Sequence, residues 1–502
     1  MRRRTAQAES DSAGPRNFLR HRPAQSDYED VRPTGSASAD ARVASPRSST
    51  VHANNASAAK PSRSTPLGTT AKSTLKRGHA LSYAGLWLFT IILYARPAEL
   101  YPSSLTASLA LIVALVTLSF FIPTQLSLEG TLTARPTEVN LVLLLCLTGF
   151  LSIPLAINRS TAWLEFSGTF IRCVVIFIIM VNVVRTKARL KGLIYLALVA
   201  GLWLSVQTLN DYRLGLMTVE GYRASGKGGG IFGNSNDMAL FLVTLVPIAF
   251  ALLLTSRSLT RKILFGSGAV LMVTAIVLTY SRGGFIGLVV ALTFFAWKTG
   301  QRRRLEIIAL GFLMVAAFLA LVPGYAMRLA SILIPSLDPL GSSEARSGEL
   351  FRSLYVAIRH PLLGIGMGNY ASEMSYRGLV THNSYTQVAA EMGMAALVCY
   401  TMFVVKPLKK LGQIARETFE VRRNSHYYYL AVGLQASLVG YLVCSFFASV
   451  AYLWYVYYLV AYAVCLRRLY ESETPKLVKP EKQVNQLKVV SAFEQKGEVV
   501  TV

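Results

Sequence analysis

The chain has 502 residues, of which 53% are hydrophobic, with a mean hydropathy of +0.42 and a formal charge of +25. That composition is too apolar for an ordinary soluble domain and too basic for an acidic one. Outside the N-terminal tail the Lys and Arg residues fall mainly in short gaps between apolar runs, the pattern of positive-inside flanks, which argues against nucleic acid as the partner.

Residues 1–78 are rich in Ser, Ala, Arg, Thr and Pro and nearly free of large apolar side chains, so composition predicts a disordered basic cytoplasmic tail. The tail lacks the short apolar core of a cleavable signal peptide, leaving the run from Leu81 to direct insertion. From there apolar segments recur near 81–97, 103–122, 139–157, 164–184, 190–209, 237–255, 262–280, 284–298, 304–323, 385–405, 428–447 and 449–466. Against the ~20 residues needed to cross the hydrocarbon core, these predict about twelve spans in an all-α, polytopic integral membrane domain over 79–470. A cytoplasmic C-terminal tail follows at 471–502. The five cysteines all lie in apolar stretches without a C-x-x-C pair, which suggests neither a zinc site nor a disulfide framework.

Charge sets the orientation. Arg185 to Arg189, Arg257 with Arg261 and Lys262, Arg302 to Arg304, and Lys406 to Arg423 fall on one side of a twelve-span chain, with both tails, and that side is read as cytoplasmic. The other face carries two long connections, about 210–236 and 324–384, with the length and polarity to build a site.

Four groups of residues on that plan carry chemistry. Thr381-His382-Asn383 precedes an apolar helix bearing Glu391, and His382 titrates near neutrality, so it is the first candidate base; the other reading is a cap or a packing residue. Glu391, about two turns along, either faces the same cavity or pairs with an Arg of another span. Upstream, His360-Pro361 leads into Gly364, Gly366 and Gly368, whose alternate spacing permits close backbone approaches.

Tyr280-Ser281-Arg282-Gly283-Gly284 forms a sharp reversal between apolar runs, where Arg282 offers a rigid fork to phosphate oxygens or else anchors a helix end. In the first outer loop Arg223 and Lys227 are candidate contacts to an anionic substrate. The Gly-rich stretch around them lacks phosphate-loop spacing, and Asn234 to Asp237 read as the N-cap of the next span, with Asp237 the capping residue. Mid-span Arg172 would cost about 2.5–3.5 kcal/mol at that depth, so it either lines a polar cavity and holds a lipid phosphate or joins an ion pair. Residues 349–359 read as a basic amphipathic helix on the outer surface, with Arg346 just before it.

In this order, the Phe232-Gly233-Asn234-Ser235-Asn236 patch opening a span, Ser281-Arg282-Gly283-Gly284, His360-Pro361-x-x-Gly364-x-Gly366, and His382-Asn383 with Glu391-x-Gly393 resemble the O-antigen ligase and polymerase family. The motifs cover about 230–400 and the topology about 80–470. The resemblance implies a GT-C-like glycosyltransferase with a large outer loop in the bacterial inner membrane, acting in polysaccharide or lipopolysaccharide biosynthesis of the cell envelope. It would take a polyprenyl-diphosphate-linked glycan as donor and a lipid or glycan as acceptor, with no cofactor, metal or nucleotide sugar. His382 would activate or orient the acceptor hydroxyl and Arg282 would grip the diphosphate, with Arg172, Arg223, Lys227, Arg346, Asn383 and Glu391 binding substrate. Arg346 and Arg352 compete for the Arg that the family often places before His-Pro. Ligase and polymerase both remain open, and the rival class is a transporter or flippase for an anionic lipid or polysaccharide, binding at Arg172 and broken helices.

Overall fold

In a computed structural model, the described residues are 75–474 apart from 77, 218–222, 227–229, 377, 423–424 and most of 301–340. Everything described belongs to the unit Gly68–Val502. Among the described residues the structure is helical and has no strand. The longer helices are α1 Ala80–Ala95, α2 Ser104–Glu129, α3 Thr137–Ser152, α4 Arg159–Val183, α5 Lys187–Arg213, α6 Ser235–Thr255 and α7 Leu259–Leu278. They continue as α8 Arg282–Thr299, α9 Ser342–Arg359, α10 Ser384–Met392, α11 Met394–Glu417, α12 His426–Cys444 and α13 Trp454–Glu473.

Six of these, α2, α4, α5, α6, α7 and α12, are long and apolar enough to cross a membrane. Several other expected spans coincide with helices that fall short of that measure for visible reasons. Helices α1 and α3 have 16 residues each, Gly393 breaks the 385–405 segment into α10 and α11, and the last turns of α13 carry Arg467, Arg468, Glu471 and Glu473. The 304–323 segment lies largely outside the described residues.

Helices α6 and α12 form the centre. Their apolar windows are 78% and 72% buried against 11% for α2, which lies at the rim. A helix apolar all round needs protein on every side or lipid on the rest, and small residues let α6 and α12 meet closely. A Cβ on Gly433 would lie 2.7 Å from that of Ala251, and Ser437 donates to the Thr244 carbonyl at 2.5 Å.

Many of the interhelical polar contacts lie toward one or the other end of the bundle. At one end Arg467 holds Glu138 through two bonds of 2.6 and 2.7 Å, Arg185 pairs with Glu129 at 2.7 Å, Arg189 donates to the Gly78 carbonyl at 2.7 Å, and Lys187 pairs with Glu473 at 2.7 Å. At the other end Ala224 N–H reaches Leu278 O at 3.0 Å, Ile157 N–H reaches Ile365 O at 3.1 Å, and the Ser384 hydroxyl reaches Ala448 O at 2.7 Å. The described candidate residues of the 210–236 and 324–384 connections lie at this second end.

Candidate active site at one end of the helical bundle

The site begins with backbone. Gly364, Gly366 and Gly368 all have positive φ, at 66°, 94° and 72°, as does Gly393 at 88°. A Cβ on Gly364 would stand 2.3 Å from the Glu391 carbonyl carbon, and one on Gly393 would stand 2.2 Å from Leu362 O. Only glycine satisfies both the dihedral and the approach. The gain is a threaded contact: Ile365 N–H bonds Ala390 O and Gly366 N–H bonds Glu391 O, both at 2.9 Å, while Met394 N–H bonds Pro361 O at 2.8 Å. The alternate glycines therefore lock the His-Pro loop onto the break between α10 and α11. Asn369, fully buried, ties the loop to the start of α4 by accepting Asn158 N–H at 2.7 Å.

That loop places Glu391. It is buried, and its Oε1 accepts Tyr370 N–H at 3.3 Å. Its Oε2 lies toward the Tyr452 hydroxyl without completing a hydrogen bond, and both atoms are buried. The space beside Gly368 is walled by Glu165 of α4, whose Cβ would be 3.4 Å from a Cβ there. Glu391 thus faces the loop and the Glu165 side of α4.

His382 sits one step before the α10 cap with φ 51°, a left-handed conformation unusual for a residue other than glycine but one that His visits more than most. Its neighbours hold it there. The Thr381 hydroxyl donates to Asn383 O at 2.9 Å and meets Ser449 Oγ at 2.8 Å. Asn383 Oδ1 accepts the N–H groups of Tyr385 and Thr386 at 2.9 and 3.0 Å. Asn383 is therefore the N-cap of α10, and capping accounts for its side-chain oxygen.

Across from this corner runs α9. Ser353 Oγ meets Thr386 Oγ1 at 2.9 Å, and Val356 and Ala357 pack on Ala389 and Ala390. One and two turns earlier, the same register brings Glu349 and Arg346 respectively toward His382, whose pKa is lowered to about 4. Burial is the largest cause, the Arg346 charge the next, and Glu349 opposes them. His382 is thus a half-buried neutral imidazole beside a guanidinium. Arg352 points elsewhere, donating to Met374 O at 3.3 Å and lying 5.2 Å over the Tyr376 ring.

The hinge forms a second cluster at the same end. Ser281 caps α8 by accepting Gly284 N–H at 3.2 Å, and Tyr280 before it has φ 50°. Asn236 Oδ1 accepts both the Ser281 hydroxyl at 2.9 Å and Arg223 Nη2 at 3.0 Å, and Arg223 Nε donates to Thr279 O at 3.0 Å. Arg223 and Arg282 are thereby brought to one turn, both buried, and Arg223 also braces it. The two clusters share a wall. A Cβ on Gly283 would lie 2.6 Å from that of Phe447, and Cys444 Sγ donates to Gly283 O at 3.5 Å, while Ala448 and Ser449 bond Ser384 and Thr381.

Other expected residues are placed differently. Arg172 is exposed on the outside of α4 while Cys173 beside it is buried, so the side chain lines no buried cavity in this structure. Asn234, and not Asp237, caps α6, accepting Asn236 N–H at 2.8 Å; Asp237 lies in the first turn, where a carboxylate favours the helix dipole. Lys227 lies outside the described residues.

Two contributors were missed. Glu349 is buried, and its Oε2 accepts the Tyr370 hydroxyl at 2.7 Å, so Tyr370 joins the Glu349 and Glu391 carboxylates. Their signal in sequence was a lone carboxylate on a basic amphipathic helix and an aromatic following Gly-x-Gly-x-Gly-Asn.

Residues 267–401 match a family model described as O-antigen ligase. The matched segment runs from within α7 through the Arg282 hinge, α9, the glycine loop and the His382 corner into α11. No curated protein matches the chain.

Proposed function

We propose, from the match of residues 267–401 to the O-antigen ligase family model, that the chain is a membrane glycosyltransferase moving a polyprenyl-diphosphate-linked glycan onto an acceptor at the outer face of a bacterial inner membrane. The reading rests most on the His382 corner, where a neutral, conformationally constrained imidazole stands beside Arg346 and shares a wall with Arg282. An acceptor hydroxyl attacks the anomeric carbon of the donor. The bond from that carbon to the diphosphate oxygen breaks, and its electron pair leaves with the diphosphate. His382 takes the hydroxyl proton, and only the neutral ring can accept it.

Arg282 and Arg346 stabilise the charge that grows on the leaving group, Arg223 supporting Arg282. A bound diphosphate offsets the Arg346 charge, which raises the His382 pKa from its low value and makes the ring a better base when donor is present. Lys227 belongs to the same anionic surface in this reading, and no metal or nucleotide takes part. Glu391 holds the glycine loop in place instead of contacting glycan.

The test is transfer by purified protein in liposomes supplied with a polyprenyl-diphosphate glycan, without added metal or nucleotide. The expected result is release of polyprenyl diphosphate with elongated or newly conjugated glycan, reduced about 10²–10⁴-fold in His382→Ala and strongly in Arg282→Ala, with insertion intact. The product separates ligase from polymerase. Retained transfer in both variants overturns the site, and movement of glycan-lipid across the bilayer without turnover overturns the reaction.

A further inference from the structure

Helix α9 has two apolar faces, and the site uses one. Glu349, Ser353, Val356 and Ala357 face α10 and are buried. On the opposite side Phe351, Leu354, Tyr355 and Ile358 are 71%, 47%, 57% and 69% exposed, and Leu362 just beyond the helix is 81% exposed. Their spacing of three and four residues makes one continuous stripe. Nothing among the described residues covers it. Each such side chain left in water forgoes the favourable free energy of burying its apolar surface.

Three observations indicate what covers it. First, the lower end of the stripe lies at the depth of lipid-facing helix. Met394 N–H bonds Pro361 O at 2.8 Å, and Met394 begins an exposed apolar line on α11 that continues at Val398 and Met402. Second, Gly149 of α3 touches Met392 and Met367, which fixes the 362–367 loop at its level, and Leu147, Phe150 and Leu151 beside it are 46–52% exposed. Third, the stripe is edged by Arg352 and Arg359, lying 5.2 Å over the Tyr376 and Tyr355 rings respectively. Aromatic rings paired with guanidinium groups at the border of an apolar surface match the headgroup layer, where the stem sits in hydrocarbon and the charge meets phosphate.

We propose that the Phe351–Leu362 stripe of α9 is a lipid-contacting surface, immersed deepest at Leu362 and shallowest at Phe351, with the Arg352 and Arg359 side chains reaching up toward the phosphates of the adjoining leaflet. The helix that carries Arg346 and Glu349 toward His382 is then seated in the membrane by its other side. The inference stands apart from the transfer reaction, since it concerns lipid contact alone.

The test is site-directed spin labelling of the full chain in lipid nanodiscs, in a Cys146→Ser background because the other native cysteines are buried. Labels go on Phe351→Cys, Ile358→Cys and Leu362→Cys, with Leu147→Cys as the lipid-facing reference and exposed Glu344→Cys as the aqueous one. The expected result is a ratio of oxygen to nickel-chelate collisions that rises from residue 351 through 358 to 362 and approaches the Leu147→Cys value. Ratios at 358 and 362 equal to that of Glu344→Cys overturn the proposal. So does protection from both reagents, which with dipolar broadening between labels assigns the stripe to a second copy and without it to the chain itself. A label that unfolds the chain is recognised by its loss of the native gel-filtration profile, and Ile358→Trp quenched by brominated lipid then gives the same reading.

Discussion

The two ends of the bundle bury charge in opposite ways. At the end of Arg467 and Glu138 two buried guanidinium groups are met by carboxylates in closed geometry, two bonds of 2.6 and 2.7 Å in one case and a 2.7 Å pair between Arg185 and Glu129 in the other. At the end of His382 the groups are incompletely matched. The imidazole faces Arg346 more strongly than Glu349, and Glu391 keeps one buried oxygen without a completed bond. Closed pairs hold helices together. Poised, mismatched groups at a surface have capacity left for a ligand.

The largest effect that sharpens this contrast is on the closed end. Arg467→Ala leaves Glu138 buried alone and should destabilise the protein by about 3–5 kcal/mol, whereas Arg467→Met with Glu138→Leu should stay close to wild type. Thermal unfolding in detergent measures both. Transfer per folded molecule should be unchanged, and a disproportionate loss would show that the two ends do not divide structure from chemistry.

A smaller effect is expected where the open end is braced. Tyr370→Phe removes the hydroxyl that Glu349 Oε2 accepts at 2.7 Å and leaves that buried carboxylate short of a donor. A cost of about 1–3 kcal/mol follows, and if it falls on the His382 geometry, turnover drops by about tenfold or more with little change in donor KM. A loss of stability at full turnover would make the Tyr370 bond a fold contact like those of the other end.

How much of this was legible in sequence depended on the range of the contact. Helix positions follow from local apolar runs, so most expected segments coincide with helices, and Ser281 and Asn383 cap within three residues of themselves. The alternate glycines announced a close approach. Its partner, the Glu391 backbone, lies 27 residues from Gly364 and is visible only in the fold. Arg172 shows the reverse: its depth suggested a cavity, but which face of α4 it occupies depends on packing against other helices, and that face is exposed. Glu349 looked like one more charge on an amphipathic helix because nothing local distinguishes the face that meets α10 from the one that does not.

The smallest effect tests the electrostatics of the open end directly. In the free protein His382 titrates at about 4, so it is neutral through the ordinary range and kcat/KM should lose activity through this group only as pH falls toward that value. Arg346 is the second cause of the lowering after burial, and Glu349 opposes it. Arg346→Gln should therefore move the acid limb of kcat/KM upward, part of the way toward 6.5, so that loss begins at higher pH than in wild type. Glu349→Gln removes the opposing charge and should move the limb down. The opposite signs distinguish a shared field at His382 from general damage, because two destabilising variants would lower activity without displacing the limb in opposite directions. If neither variant moves it, the imidazole that titrates does not sit between these two charges, and the open end must be assigned its chemistry from Arg282 instead.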